Sequence, residues 1–159
     1  MSARVAPVRK HVIVEATPER AFRIFTESSG WWPREHHIGK ADLDKVVLEP
    51  RTGGRWYERG VDGSECQWGK VLVWDPPKRV VLAWQISAEW QYDPSLITEV
   101  EVRFTPVAVG KTRVELEHRD LERFGANAEA LRNAVDSPDG WAMHLQRFAD
   151  AVAAKVEAV

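Results

Sequence analysis

The chain has one cysteine, Cys66, in 159 residues, so no internal disulfide can form and the fold must hold by packing alone. A lone thiol in a strand-like stretch reads as a small apolar filler. No run of about 18 apolar residues occurs, which excludes a membrane-spanning helix. An excess of one charge is also missing. Lys and Arg total 22 and Asp and Glu 24, a net charge of −2, which argues against the basic stripe of a nucleic-acid binder. The opening segment MSARVAPVRK lacks the apolar core of a secretion signal, and we expect a cytoplasmic protein. No close-spaced ligand pair of the HExxH kind occurs, and adjacent residues such as His36-His37 rarely point to one site. That pair reads as part of a solvated loop, and neither a metal nor another cofactor is expected. Repeats, low-complexity tracts and a second domain are absent, so 1–159 is expected to be a single domain with one core.

What the chain has in surplus is tryptophan. Trp31, Trp32, Trp56, Trp68, Trp74, Trp84, Trp90 and Trp141 make eight, most of them in strand-like segments that already have apolar partners. Indoles are rarely buried completely, and a buried indole N–H wants an acceptor. Eight of them offer more rigid aromatic wall than one small core needs. The surplus predicts a cavity lined by Trp.

Alternation and turn residues predict seven strands, at 11–15, 44–49, 55–59, 65–74, 79–87, 96–105 and 112–119. After the first strand, Thr17-Pro18-Glu19 supplies an N-cap, a first-turn Pro and an acid that complements the helix dipole. Ala21, Phe22, Ile24 and Phe25 then follow at helical spacing, and Ser28-Ser29-Gly30 breaks the helix before Trp31-Trp32-Pro33. Two short helices are expected in this region. No helix long enough for a parallel crossover separates strands two to seven, so the sheet should be antiparallel. In the sixth strand Thr98, Val100, Val102 and Phe104 share one face, and in the seventh Val114, Leu116 and His118 do. The opposite faces carry charge, which reads as cross-strand pairing on a wet face. Ser137-Pro138-Asp139 repeats the cap signal, and Trp141, Leu145, Phe148, Ala149 and Val152 form one helical stripe. A long helix over 138–157 should therefore cover the sheet. The class is α+β.

These residues carry a resemblance. Ala16-Thr17-Pro18-Glu19-Arg20-Ala21-Phe22, Gly53-Gly54-Arg55-Trp56, Trp68-Gly69-Lys70-Val71, Trp74-Asp75-Pro76-Pro77-Lys78-Arg79, the segment from Val114 to Arg119, and Gly140-Trp141 resemble the START-like or SRPBCC superfamily. Within it the chain is most similar to homologues of the C-terminal domain of the heat-shock-protein ATPase activator. The resemblance implies the helix-grip fold of the birch-pollen allergen: a curved seven-stranded antiparallel sheet wrapped around a long C-terminal helix, with two short helices after the first strand. The superfamily spans lipid binders, cyclases, hydrolases, resistance proteins and co-chaperone domains, so fold alone does not fix function.

Strand parity selects the polar candidates. Glu58 shares a face with Trp56, and an inward carboxylate can serve as acid, base or ligand anchor. His118 should face the last helix, and His144 lies on the edge of its apolar stripe. Glu58 and His118 are the catalytic candidates. The expected cavity lies between sheet and C-terminal helix and is formed by Trp31, Trp32, Trp56, Glu58, Trp68, Trp84, Val100, Val102, His118, Trp141, His144, Leu145 and Phe148, with Trp31-Trp32 as its lid. The leading expectation is a binder of a small hydrophobic molecule, aromatic or lipid-like, acting as monomer or homodimer. The alternatives are a cyclase- or hydrolase-like enzyme using Glu58 or His118, and an interaction protein of the stress response. The activator's separate N-terminal domain has no counterpart in this sequence, which speaks against direct chaperone activation.

Overall fold

Every strand anticipated from alternation forms, in a computed structural model that describes residues 5–157. In chain order the elements are β1 (Val8–Val14), α1 (Pro18–Thr26), a 3₁₀ turn (Ser28–Gly30), β2 (Leu43–Leu48), β3 (Arg55–Gly60), β4 (Glu65–Asp75), β5 (Arg79–Trp84), β6 (Thr98–Ala108) and β7 (Lys111–Arg119). A 3₁₀ segment (Leu121–Asn127), α2 (Ala128–Asp136) and α3 (Trp141–Glu157) complete it. The single domain read from the sequence includes residues 1–4, 158 and 159, which lie outside the described residues.

The sheet order is β1-β7-β6-β5-β4-β3-β2, with every neighbouring pair antiparallel. The sheet curls around α3 in the helix-grip arrangement. Two bulges in β4 help the curl. Trp56 pairs with Gly69 and Tyr57 with Gln67, so Trp68 is an extra residue; Leu72 is a second one, between the pairs Val71–Leu82 and Val73–Val81. A bulge adds twist and re-aims a side chain. Here it turns Trp68 inward, where it is 2% exposed. Gly69 beside it has no alternative, because a Cβ there would lie 1.8 Å from the Ala83 carbonyl oxygen.

The cap signals work in one place and mislead in the other. Thr17 Oγ1 accepts from Arg20 N at 3.2 Å, and Pro18 opens α1. Ser137-Pro138-Asp139, however, is the corner between two helices rather than the start of one. Ser137 ends α2, and α3 begins only at Trp141. Gly140 turns this corner because a Cβ there would lie 2.1 Å from the Val135 carbonyl oxygen. α2 itself is not anticipated by the reading above, although Ala128, Leu131 and Val135 form its buried stripe. The second short helix after β1 is the single 3₁₀ turn Ser28–Gly30.

The concavity under α3 is filled by aromatic rings where α1 packs into it. Phe22 and Phe25 of α1 stack edge-on against Phe104 at 5.2 and 5.8 Å, and Phe25 meets Phe148 at 5.2 Å. Trp31 closes this packing at 5.2 Å from Phe25. α1 thus supplies the volume that a sheet and one helix leave empty.

The outer face holds a charged network rather than a uniformly wet surface. Glu101 is buried there and accepts from Arg79 at 3.1 Å, from Arg103 at 2.8 Å and from Arg119, which also binds Glu99 and Glu117. The three guanidiniums hold the Glu101 carboxyl down to about 2 against the opposing effect of burial, and its carboxylate keeps Arg119 protonated. No helix among the described residues is long and apolar enough to cross a membrane.

Candidate functional site

The open end of the sheet is left unfilled, and a cleft of about 340 Å³ remains there. Four buried indoles from four parts of the chain build its floor: Trp32 from the segment after the 3₁₀ turn, Trp68 from the β4 bulge, Trp84 from the end of β5, and Trp141 from the start of α3. They touch one another, with ring centroids 5.2 Å apart for Trp32–Trp68, 5.7 Å for Trp84–Trp141 and 6.4 Å for Trp32–Trp141. Ile86 adds apolar wall, and the α2–α3 corner closes one side with Val135, Ser137 and Gly140. The rim is exposed at Glu35, Trp90, Ala134 and Asp139, so the cleft opens to solvent. Trp90 is 48% exposed and has φ +61°, a left-handed backbone that costs a bulky residue energy.

The floor indoles are held by their N–H groups. Trp32 donates to the His36 carbonyl at 2.8 Å, Trp68 to Glu58 Oε1 at 2.9 Å, Trp84 to the Ile86 carbonyl at 3.0 Å and Trp141 to His118 Nδ1 at 3.2 Å. Each ring is therefore fixed in rotation, and the floor is rigid before any ligand arrives.

Glu58 anchors one wall. Its side chain faces inward, as parity predicts, because the nearby bulge lies in β4 and leaves the phase of β3 intact. Its carboxylate accepts from the Ile38 and Gly39 amides at 2.6 and 3.0 Å, from Trp68, and from His37 Nδ1 at 3.1 Å. A carboxylate only accepts here, so His37 carries its proton on Nδ1. Three of these donors tie the 36–39 segment to the sheet. Gly39 fits because a Cβ would lie 2.7 Å from Glu58 Oε2.

His118 is fully buried and fully engaged. Nδ1 accepts from Trp141, so Nε2 carries the hydrogen and donates to Thr98 Oγ1 at 2.8 Å, and Thr98 donates to the Trp84 carbonyl at 3.3 Å. Burial pushes the imidazole down to about 3, which keeps it neutral. His144 packs at a tilt against Trp32, with ring centroids 4.6 Å apart, and against Trp141 at 5.3 Å. Burial brings it down to about 4, opposed by its bond to Gly140 and assisted by the Arg147 charge. Its Nδ1 lies 2.7 Å from the Gly140 carbonyl and its Nε2 3.1 Å from His36 Nδ1.

Of the residues expected around a cavity, Trp32, Trp68, Trp84, Trp141 and His144 line the cleft. Trp31, Trp56, Glu58, Val100, Val102, His118, Leu145 and Phe148 are buried beside or beneath it and do not line it. The difference has one cause: α1 fills the sheet–helix interior, so the space moves to the mouth. Trp31 and Trp32 do not form a lid. Trp31 is bonded into the core through the Ile24 carbonyl at 3.1 Å, and Trp32 is floor. The 36–37 pair is not a solvated loop either, because both histidines line the cleft and each has a side-chain partner. Sequence reasoning missed Ile86, Trp90 and the α2–α3 corner: the fifth strand, expected over 79–87, ends at Trp84, so Ile86 lies past it, and the others fall outside the strands altogether. Among the described residues no group of three or more His, Cys, Asp or Glu is set to hold a metal.

Comparison with known proteins agrees with this architecture. Among curated proteins none matches. Among solved structures, an anthrahydroquino-γ-pyrone synthase, Txn09, is 41% identical over 93% of this chain and 97% of its own, with a TM-score of 0.65. The self-sacrificing resistance protein CalC from Micromonospora echinospora is 32% identical over 94% and 95%, with a TM-score of 0.70. The Aha1 dimer from Colwellia psychrerythraea shares the fold at 16% identity over 93% and 96%, with a TM-score of 0.61. The model of the activator of Hsp90 ATPase homologue 1-like proteins matches residues 15–153. Held against the grip of sheet on α3 and the aromatic mouth, that match places the chain in the Hsp90-ATPase-activator-homologue-1-like family of the SRPBCC superfamily.

Proposed function

We propose that the cleft binds a small planar aromatic molecule of several fused rings. The single observation that carries this reading is the floor of four touching indoles, each locked by its N–H, beneath an opening of about 340 Å³. Small-molecule sites run from about 300 to 1,000 Å³ and are mostly apolar with a few polar groups. A flat π-system gains from offset or edge-on contact with such walls, about 0.5–1.5 kcal/mol per aromatic pair beyond area burial. The 41% identity with a synthase named for an anthrahydroquino-γ-pyrone supports a polycyclic class over a fatty acid. We take the protein to act in the cytoplasm, as monomer or homodimer. The same relationship favours a second reading, ring closure on the bound aromatic.

A hydroxyanthraquinone added to the protein should quench its Trp fluorescence and raise its melting temperature. At a hundred-fold excess over Kd the stabilisation is about 2.7 kcal/mol. Trp90→Ala removes only an exposed rim residue, so it should lower affinity while leaving the unliganded melting temperature unchanged. If a panel of polycyclic aromatics leaves both signals flat, the cleft is not such a site. Mass spectrometry of those ligands after incubation checks the second reading, which requires a new product.

A further inference from the structure

Two histidines at the cleft form a directed relay, and its direction follows from one carbonyl. His144 Nδ1 lies 2.7 Å from the Gly140 oxygen, which can only accept, so Nδ1 carries the hydrogen. His144 is neutral, held so by burial, and its Nε2 is therefore a bare lone pair. That lone pair lies 3.1 Å from His36 Nδ1, so His36 must donate from Nδ1. The hydrogen of a neutral His36 is thus committed to His144, and its Nε2 is left as an acceptor. Among the described residues Nε2 of His36 has no protein partner, and His36 lines the cleft. The order is Gly140 carbonyl, His144, His36.

We propose that His36 Nε2 is the base that receives the proton of an acidic hydroxyl, phenolic or enolic, on the bound aromatic. This rests on the cleft being an aromatic site. In the step the ligand O–H bond breaks, an N–H bond forms at His36 Nε2, and the ligand becomes an oxyanion beside an imidazolium. No other atom changes owner. His144 is a positioning residue: it fixes the His36 tautomer and accepts from the imidazolium Nδ1–H, the job that the orienting group performs for a general base. Trp32 and Trp141 pack against the His144 ring on two sides and hold it in place. The charged and titratable groups around the pair are Arg147 on α3, which donates to the Trp31 carbonyl, the rim acids Glu35 and Asp139, and His37, bonded to Glu58. The oxyanion so formed is a nucleophile, which gives the cleft the chemistry a ring closure through oxygen needs.

The probe is alizarin, a dihydroxyanthraquinone whose visible absorption shifts when a hydroxyl ionises. Bound alizarin should ionise at least about one pH unit below free alizarin, a tenfold change in its acid constant. In His36→Gln the shift should vanish while Trp quenching by alizarin persists. In His144→Phe, which keeps a stacking ring and removes the acceptor, the shift should shrink by more than half at retained quenching. A full shift in His36→Gln overturns the proposal. Loss of quenching in the wild type overturns the cleft reading and the proposal with it. Nitrogen-15 NMR of the unliganded wild type gives an independent answer. Both histidines should be the Nδ1–H tautomer, and a His36 protonated on Nε2 alone would refute the relay even where every variant failed to fold.

Discussion

Glu58 defines the residue scale. A carboxylate read from parity as a free inward group turns out to be the acceptor for four donors from the 36–39 segment and Trp68. Glu58→Gln would keep the size and replace one accepting oxygen with an amide NH2, itself a donor, that meets donors. A buried donor left facing donors costs about 1–3 kcal/mol, so the variant should lose about that much in denaturant unfolding. It should also loosen the wall that carries His36 and His37, which would appear as weaker quenching by aromatic ligands. An unchanged or raised stability would mean that the four contacts are not made in solution. Parity in β3 was legible because pairing with period two leaves only two faces for a side chain. The partners were not legible, because they come from an irregular segment whose backbone amides leave no mark in the residue letters.

At the scale of elements, α3 and the β4 bulges decide where the cleft lies. α3 runs 17 residues, about 25 Å at 1.5 Å per residue. Its far part is plain core: Phe148 is fully buried against Phe25 and Trp31. Phe148→Ala should cost about 3–5 kcal/mol, the range for deleting a buried aromatic ring, and urea unfolding would register it. A loss near zero would mean that α3 does not grip the sheet. All seven strands, α1 and the body of α3 were readable from alternation and from the apolar stripe, because both patterns are direct imprints of burial. The start of α3 was not, since Ser-Pro-Asp suits a helix corner as well as an N-cap. The position of the cleft was also hidden. It depends on how much volume α1 fills and on an inserted residue at Trp68, and neither leaves a periodic signal.

The whole molecule carries two neutral histidines in its interior, and this sets its response to acid. His118 and His144 bind protons in the unfolded chain below about 6.5, but in the folded protein only below about 3 and about 4. Between those limits the unfolded state holds more protons, so stability is full above about pH 6.5 and declines as the pH falls. Two such groups steepen the decline to as much as about 2.7 kcal/mol per pH unit between roughly pH 6 and pH 4. Glu101 acts lower: its contribution is present above the unfolded carboxylate value of 4.5 and is lost as the pH falls toward about 2. Unfolding free energies measured from pH 7 to pH 3 should therefore begin to fall well above the carboxylate range. A curve flat down to pH 5 would contradict neutral burial of both rings. The outer-face network around Glu101 was legible only as alternating charge; that one member of it is buried depends on three arginines meeting over β6, which spacing alone does not give.

Packing six tryptophans ring to ring has an optical consequence. Trp31, Trp32, Trp56, Trp68, Trp84 and Trp141 form an unbroken chain with centroid separations of 5.2 to 6.5 Å. Chromophores so close and so fixed in angle do not absorb independently. Their transition dipoles couple, and excitation migrates among them faster than any one of them emits. The folded protein should carry an exciton couplet in its ultraviolet circular dichroism that the unfolded chain lacks. A single acceptor bound at the mouth should then darken the whole chain of indoles, including members it never touches.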